Sequence, residues 1–180
     1  MRITISGMPG SGKSYLAAEL VKKFDLKRYS VGDFMRNLAK ERGLSLIELN
    51  KLGEKDKSID KQADDWQTNL GKKEDKFIID GRISYHFIPN SIKLFLKVSP
   101  EEGSERIRGD NRETEKADSH EEMVKLWKER VESDRKRYKK YYNLNPLDES
   151  QYDFVVDTTN LTKEEVVSRV VKFVEKFRKK

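Results

Sequence analysis

The stretch Gly7 to Ser14, GMPGSGKS, constrains this chain more than any other. It follows Arg2-Ile3-Thr4-Ile5-Ser6, whose apolar residues alternate as in a strand, and precedes Tyr15-Leu16-Ala17-Ala18-Glu19-Leu20-Val21, whose apolar residues recur at helical spacing. A strand therefore hands over to a helix across a loop carrying Gly7, Gly10 and Gly12, the context a phosphate-binding loop requires. Glycine accepts positive φ and lets an anion approach the backbone, whose N–H groups and following helix N-terminus point at it. Lys13 adds a point charge for the outer phosphates, and Ser14 a hydroxyl for a Mg²⁺ held by those phosphates. The bland alternative is a glycine-rich turn that merely closes a strand–helix unit, and it needs the other fixed letters to coincide by chance. Gly7, Met8, Pro9, Gly10, Ser11, Gly12, Lys13, Ser14 and Tyr15 are therefore read as the segment that binds ATP or GTP.

Beyond the loop, strands alternate with helices. Lys27 to Ser30 can make a short second strand, and 76–80, 91–98 and 152–157 read as three more, although the one at 91–98 sets Lys93, Phe95 and Lys97 against Ile92, Leu94 and Leu96 and is less apolar than a strand buried on both faces should be. Gly32-Asp33 opens a helix. Ser45 with Glu48, Ser99 with Glu102 and Thr162 with Glu165 read as capping boxes, and Ser119 caps a long helix to about Tyr142. Another helix runs from about Ser58, with Ile59, Ala63, Trp66 and Leu70 on one stripe and Asp60, Asp64 and Gln67 beside it. This order predicts an α/β three-layer sandwich around a five-stranded parallel sheet. With 180 residues, one domain spanning 1–180 is expected, and the polar segment 109–118 reads as a mobile flap.

The chain has no Cys, which excludes a disulfide framework and thiol catalysis. No apolar run approaches the ~20 residues a membrane span needs, and the start enters a strand at once, so neither a span nor a signal peptide is read and a cytoplasmic monomer is expected. Lys and Arg number 38 against 32 Asp and Glu, a mixed surface that suits a polyanionic small molecule as well as nucleic acid. His86 and His120 lack metal-ligand spacing.

Arginines placed to meet a second anion would separate an enzyme from a switch. Arg36 follows the second strand, Arg82 lies just past the third, and Arg130, Asp134 and Arg137 share one stripe of the long helix beside Val124, Trp127, Val131 and Tyr138. The alternative is an ion-paired surface helix in which Arg130 pairs with Asp134 and Arg137 is solvated among Lys136, Lys139 and Lys140.

Taken together, GMPGSGKS, YSVGDFMR from Tyr29, IIDGR ending at Arg82, SERI at Ser104, KERVESDRKRY from Lys128 and VVDTTNLTKEEV from Val155 resemble, in order and spacing, the nucleoside monophosphate kinases, most of all the short archaeal-type cytidylate kinases. The resemblance covers almost the whole chain. It implies a P-loop fold with a core of 1–30 and 73–180, an acceptor-binding insertion at 31–72 and a lid at 109–118. It further implies that Asp33, Arg36 and Arg82 hold the acceptor nucleotide, that Arg130 and Arg137 join Lys13 in bridging donor and acceptor phosphates, and that Asp134 lies near the acceptor ribose. Asp80 is implied in the water shell of the metal with Ser14, and Thr158 and Thr159 in the loop flanking adenine. Arg106 is implied at ATP, but where relatives carry a second arginine this chain has Asp110, between Arg108 and Arg112. The implied reaction transfers phosphate from Mg-ATP to CMP or dCMP, without nucleic-acid or membrane partners. Kinases for UMP, AMP or a hydroxyl acceptor remain open, the last with Asp33 or Asp80 as base, as does a nucleotide-gated nucleic-acid switch using RKRYKK.

Overall fold

A computed structural model describes residues 1–109 and 119–178. The expected lid therefore lies outside the described residues except for Gly109, and so does Arg112. Five strands, β1 (Arg2–Gly7), β2 (Lys27–Ser30), β3 (Phe77–Asp80), β4 (Ile92–Lys97) and β5 (Phe154–Asp157), form an all-parallel sheet in the order β2-β3-β1-β4-β5. The central strand is the one that enters the phosphate loop. Its neighbours come from far along the chain, with Ile3 opposite Ile78 on one side and Ile92 on the other.

Helices α1 (Lys13–Phe24) and α8 (Lys163–Phe177) cover one face. There Ile3, Ile5, Leu94 and Val156 of the sheet pack against Leu16, Leu20, Val170 and Val174, all buried. Between β2 and β3 the chain makes α2 (Val31–Glu41), α3 (Leu46–Gly53) and α4 (Lys57–Lys73), which share a separate apolar cluster of Met35, Leu38, Leu49, Ile59 and Ala63. On the second face α4 and the short α5 (Ser84–Phe87) cover Phe77 and Ile79 through Leu70 and Ile88. Helices α6 (Pro100–Gly109) and α7 (His120–Tyr142) pack together over Val98 through Ile107, Met123 and Trp127. The three layers follow from strands that bury both faces. No helix among the described residues is long and apolar enough to cross a membrane.

The mixed character of β4 has a physical reason. Its second face meets Tyr152, stacked on Phe95 at 4.7 Å between ring centroids, and Lys97 reaches Glu149 at 2.7 Å. This stretch of sheet is covered partly by the loop before β5, so half-buried lysines are tolerated there. Of the expected capping boxes, those at Ser45 and Thr162 are complete. The one at Ser99 is half made: its hydroxyl accepts from the Glu102 N–H at 3.2 Å, but the Ser99 N–H donates to Thr159 Oγ1 and the Glu102 carboxylate is taken by Arg106. Helix α4 begins a residue earlier than expected, with Asp56 as its cap.

Candidate active site

The phosphate loop is shaped by backbone. Gly10 and Gly12 take φ of 73° and 86°, a region most side chains avoid. Gly10 is also fixed by space, since a Cβ there would stand 2.1 Å from the Gly103 carbonyl oxygen. Helix α1 then starts without a side-chain cap and without an acid in its first turn. By contrast α2, α3, α4, α7 and α8 are capped by Ser30, Ser45, Asp56, Ser119 and Thr162. The amino end of α1 thus keeps N–H groups and dipole for an anion from outside. Lys13 folds over the loop, its Nζ donating to the carbonyls of Gly7 at 3.0 Å and Met8 at 2.7 Å. Ser14 is exposed one residue further, and the exposed ring of Tyr15 carries Lys163 Nζ 5.2 Å from its centroid.

Parallel pairing brings Asp80 to the same sheet edge as the loop, because the Gly81 N–H that follows it donates to Ile5 O at 3.0 Å. Asp80 is buried and its Oδ1 has no hydrogen-bond partner. Burial raises its pKa against the pull of Arg28, Ser30 and Lys13. Just past it, Arg82 spans two elements: Nη1 donates to Gly7 O at 2.5 Å and Nε to Asp134 Oδ2 at 2.8 Å. The other Asp134 oxygen accepts from Arg137 Nη2 at 3.2 Å. Two guanidinium groups therefore share one carboxylate beside the loop. A small cavity next to them is lined by Gly7, Met8, Arg82, Phe95, Asp134 and Leu147.

Arg137 is not solvated, as the surface-helix alternative required: its side chain is 11% exposed, and besides Asp134 it faces Asp60 of α4 at 3.6 Å. Arg137 Nε and Asp60 Oδ2 are both buried without a hydrogen-bond partner. Burial raises the pKa of Asp60, opposed by Arg137, and pushes Tyr138, whose Oη lies 3.3 Å from Arg137, up to about 12. Arg130 is half-buried about two turns before Arg137 on α7. Arg36 ion-pairs with Asp33 on an exposed part of α2, apart from the hydrogen bonds and ion pairs that join Arg82, Asp134 and Arg137.

On the other side of the loop, Arg106 clamps the turn after β5. Its Nη1 donates to Thr158 Oγ1 at 3.1 Å and its Nη2 to the carbonyls of Thr158 at 2.9 Å and Thr159 at 3.3 Å. Thr158, buried, reaches Ser11 O at 3.5 Å, and Thr159 bonds Asp157 at 2.6 Å. Arg106, Thr158, Thr159 and Ser11 are thus brought together, whereas Arg108 pairs with Glu105 on the surface. Two participants were not legible in the sequence as such. Asp60 is one, its only signal being its place in the Asp60, Asp64, Gln67 row. Trp127 is the other: its apolar stripe was plain, but not that its Nε1 donates to Pro9 O at 2.9 Å.

A phosphate loop on the central strand of an all-parallel sheet, with Arg82 at a strand end and Arg137 on α7 sharing a carboxylate beside it, is the arrangement of a P-loop phosphotransferase. Residues 6–125 match the family model described as an AAA domain. The chain is 34% identical to a cytidylate kinase of Methanocorpusculum labreanum over 94% of both chains. It is 35% identical to one of Methanocella arvoryzae over 99% of both, and 40% identical to one of Methanothrix thermoacetophila over 88% of both. The chain therefore belongs to the cytidylate kinase family of nucleoside monophosphate kinases. Among solved structures it superposes on a shikimate kinase from Bacteroides thetaiotaomicron with a TM-score of 0.70 at 14% identity, covering 97% of this chain and 98% of that one. It superposes on one from Aquifex aeolicus at 0.60 and 22% identity, covering 97% and 96%. At such identities the likeness is one of fold.

Proposed function

We propose that the chain moves the γ-phosphoryl group of Mg-ATP to CMP or dCMP, releasing ADP with CDP or dCDP. The observation that carries this reading is its likeness, over nearly its full length, to proteins named cytidylate kinase. The acceptor is already an anion, so no general base is needed; the demand is to relieve repulsion between the triphosphate of the donor and the monophosphate of the acceptor and to stabilise charge on the moving group. The phosphate loop with Gly7 to Ser14 and Tyr15 holds the donor, and Arg106, Thr158 and Thr159 flank its adenine. Lys13 grips the transferring phosphate. Arg130 and Arg137 meet it from α7 and Arg82 from the end of β3, each guanidinium fork matching phosphate oxygens.

The helices at 31–72 take the acceptor, with Asp33 and Arg36 at its entrance and Asp134 toward its ribose. Asp80 and Ser14 suit Mg²⁺ carried in on the phosphates. Asp80 offers a buried carboxylate oxygen without a partner and Ser14 an exposed hydroxyl, oxygen donors suited to an ion that keeps most of its own water. When bound, that ion neutralises charge on the β- and γ-phosphates.

The test is a coupled assay of ADP release with Mg-ATP against CMP, dCMP, UMP, AMP and shikimate. CMP and dCMP should give the highest kcat/KM. If none of the four nucleotides raises turnover above the ATP-only background, the reading fails.

A further inference from the structure

Trp127 has been given no part in the transfer itself, yet it is where three elements meet without padding. The residue is 6% exposed, and its Nε1 donates to Pro9 O, in the middle of the phosphate loop, at 2.9 Å in a buried setting. Helix α6 opens the path for this bond. A Cβ on Gly103 would lie 2.7 Å from Trp127 Nε1 and 2.9 Å from Pro9 O, so any side chain at 103 would occupy the place of the bond. Gly103 in turn presses its carbonyl against Gly10. The phosphate loop, α6 and α7 therefore touch through backbone and one indole.

The same helix is tied to the loop a second time. Arg82 connects Asp134 of α7 to the carbonyl of Gly7. Between the two ties Val131 packs in the cluster that holds Trp127 and Met8. Two separated ties fix the direction of a helix as well as its distance, whereas one alone would leave a pivot. Arg130 lies between them and Arg137 just beyond the second.

We propose that Trp127 is a positioning residue for phosphoryl transfer: its indole N–H holds the Pro9 carbonyl and so keeps the phosphate loop in register with the helix that carries Arg130, Asp134 and Arg137. This rests on the reading of Lys13 and those arginines as the groups that meet the transferring phosphate. Placement matters in such a reaction, where a displacement of about 1 Å can cost ~10²-fold in rate. Tryptophan suits the position because its apolar body fills the cluster while a single N–H meets the carbonyl.

Two variants test this. Trp127→Phe keeps an aromatic body and loses the donor. Replacing Trp127 by β-(3-benzothienyl)alanine keeps the two-ring shape and exchanges only N–H for sulfur. Both should lower kcat roughly 10- to 100-fold, with the KM for ATP and for the monophosphate moving less than about threefold. Wild-type kcat in the folded benzothienylalanine protein, as judged by circular dichroism, overturns the proposal. So does a loss confined to the two KM values. The comparison uses whichever monophosphate the wild-type protein phosphorylates best, so failure of the CMP reading shows in the wild type and failure of this one only in the variants.

Discussion

Arg137 is held between Asp134 and Asp60 with little exposure, so its truncation removes a guanidinium group without touching the phosphate loop. Arg137→Ala is expected to lower kcat by about 10³ while the KM for ATP changes less than about threefold, read from initial rates at saturating acceptor. Arg137→Lys should recover only part of the loss, because a point charge cannot face two carboxylates and a phosphate at once. A second residue-scale expectation concerns Asp64 on α4, which accepts a bond from Tyr142 Oη at 2.6 Å. Burial raises its pKa from 3.8 to about 6. The folded chain therefore binds this proton more tightly than the unfolded chain does, so the ionised carboxylate costs stability at neutral pH, and that cost fades as pH falls from about 6 to about 4. Asp64→Asn should melt higher than wild type at pH 7.5, with the gap closing by about pH 4 in thermal melts followed by circular dichroism. The stripe carrying Arg137 could be read in the sequence, but its burial could not. Lys136, Lys139 and Lys140 around it look like a solvated run, and the deciding group, Asp60, belongs to another helix.

Where a helix end is closed by its own neighbours, local sequence suffices. Ser45 with Glu48 and Thr162 with Glu165 make the reciprocal bonds that their spacing predicts. Ser99 does not, because Thr159 from beyond β5 captures its N–H, a tertiary partner that no window around Ser99 contains. Helix α5 and the 3-10 turn at Glu149–Gln151 were not foreseen, being too short to show a period. Thr162→Ala should cost about 1 kcal/mol by freeing the first turn of α8, which lowers Tm by about 2–4 °C in a chain of this size. Turnover should be unchanged, since α8 packs with α1 on the sheet and carries none of Arg82, Arg130 and Arg137. A fall in kcat as large as that of Arg137→Ala would contradict this.

Across the whole molecule the layer order was legible because strands and helices alternate, while the pairing of distant strands and the meeting of α4 with α7 depend on contacts that composition does not encode. The two tryptophans divide the molecule. Trp66 stacks on Phe34 at 4.8 Å and meets Tyr29 of β2 edge-on at 6.2 Å, at the seam between α2–α4 and the sheet. In Trp127→Phe, the emission of Trp66 should shift on adding CMP and respond much less to ATP alone. Equal responses to both would contradict a separate acceptor side at 31–72.

The central place of β1 also has a consequence for the order in which the chain can assemble. The strand that carries the phosphate loop is made before either of its partners, which do not exist until Phe77 and Ile92 have been made, and Trp127 follows later still. The apolar run Ile3-Thr4-Ile5 must wait unpaired through the synthesis of α1 to α4, so the step that shapes the nucleotide site is a late, long-range closure. Nucleotide can then stabilise the finished domain by mass action, yet it has nothing to grip while the chain is still being built.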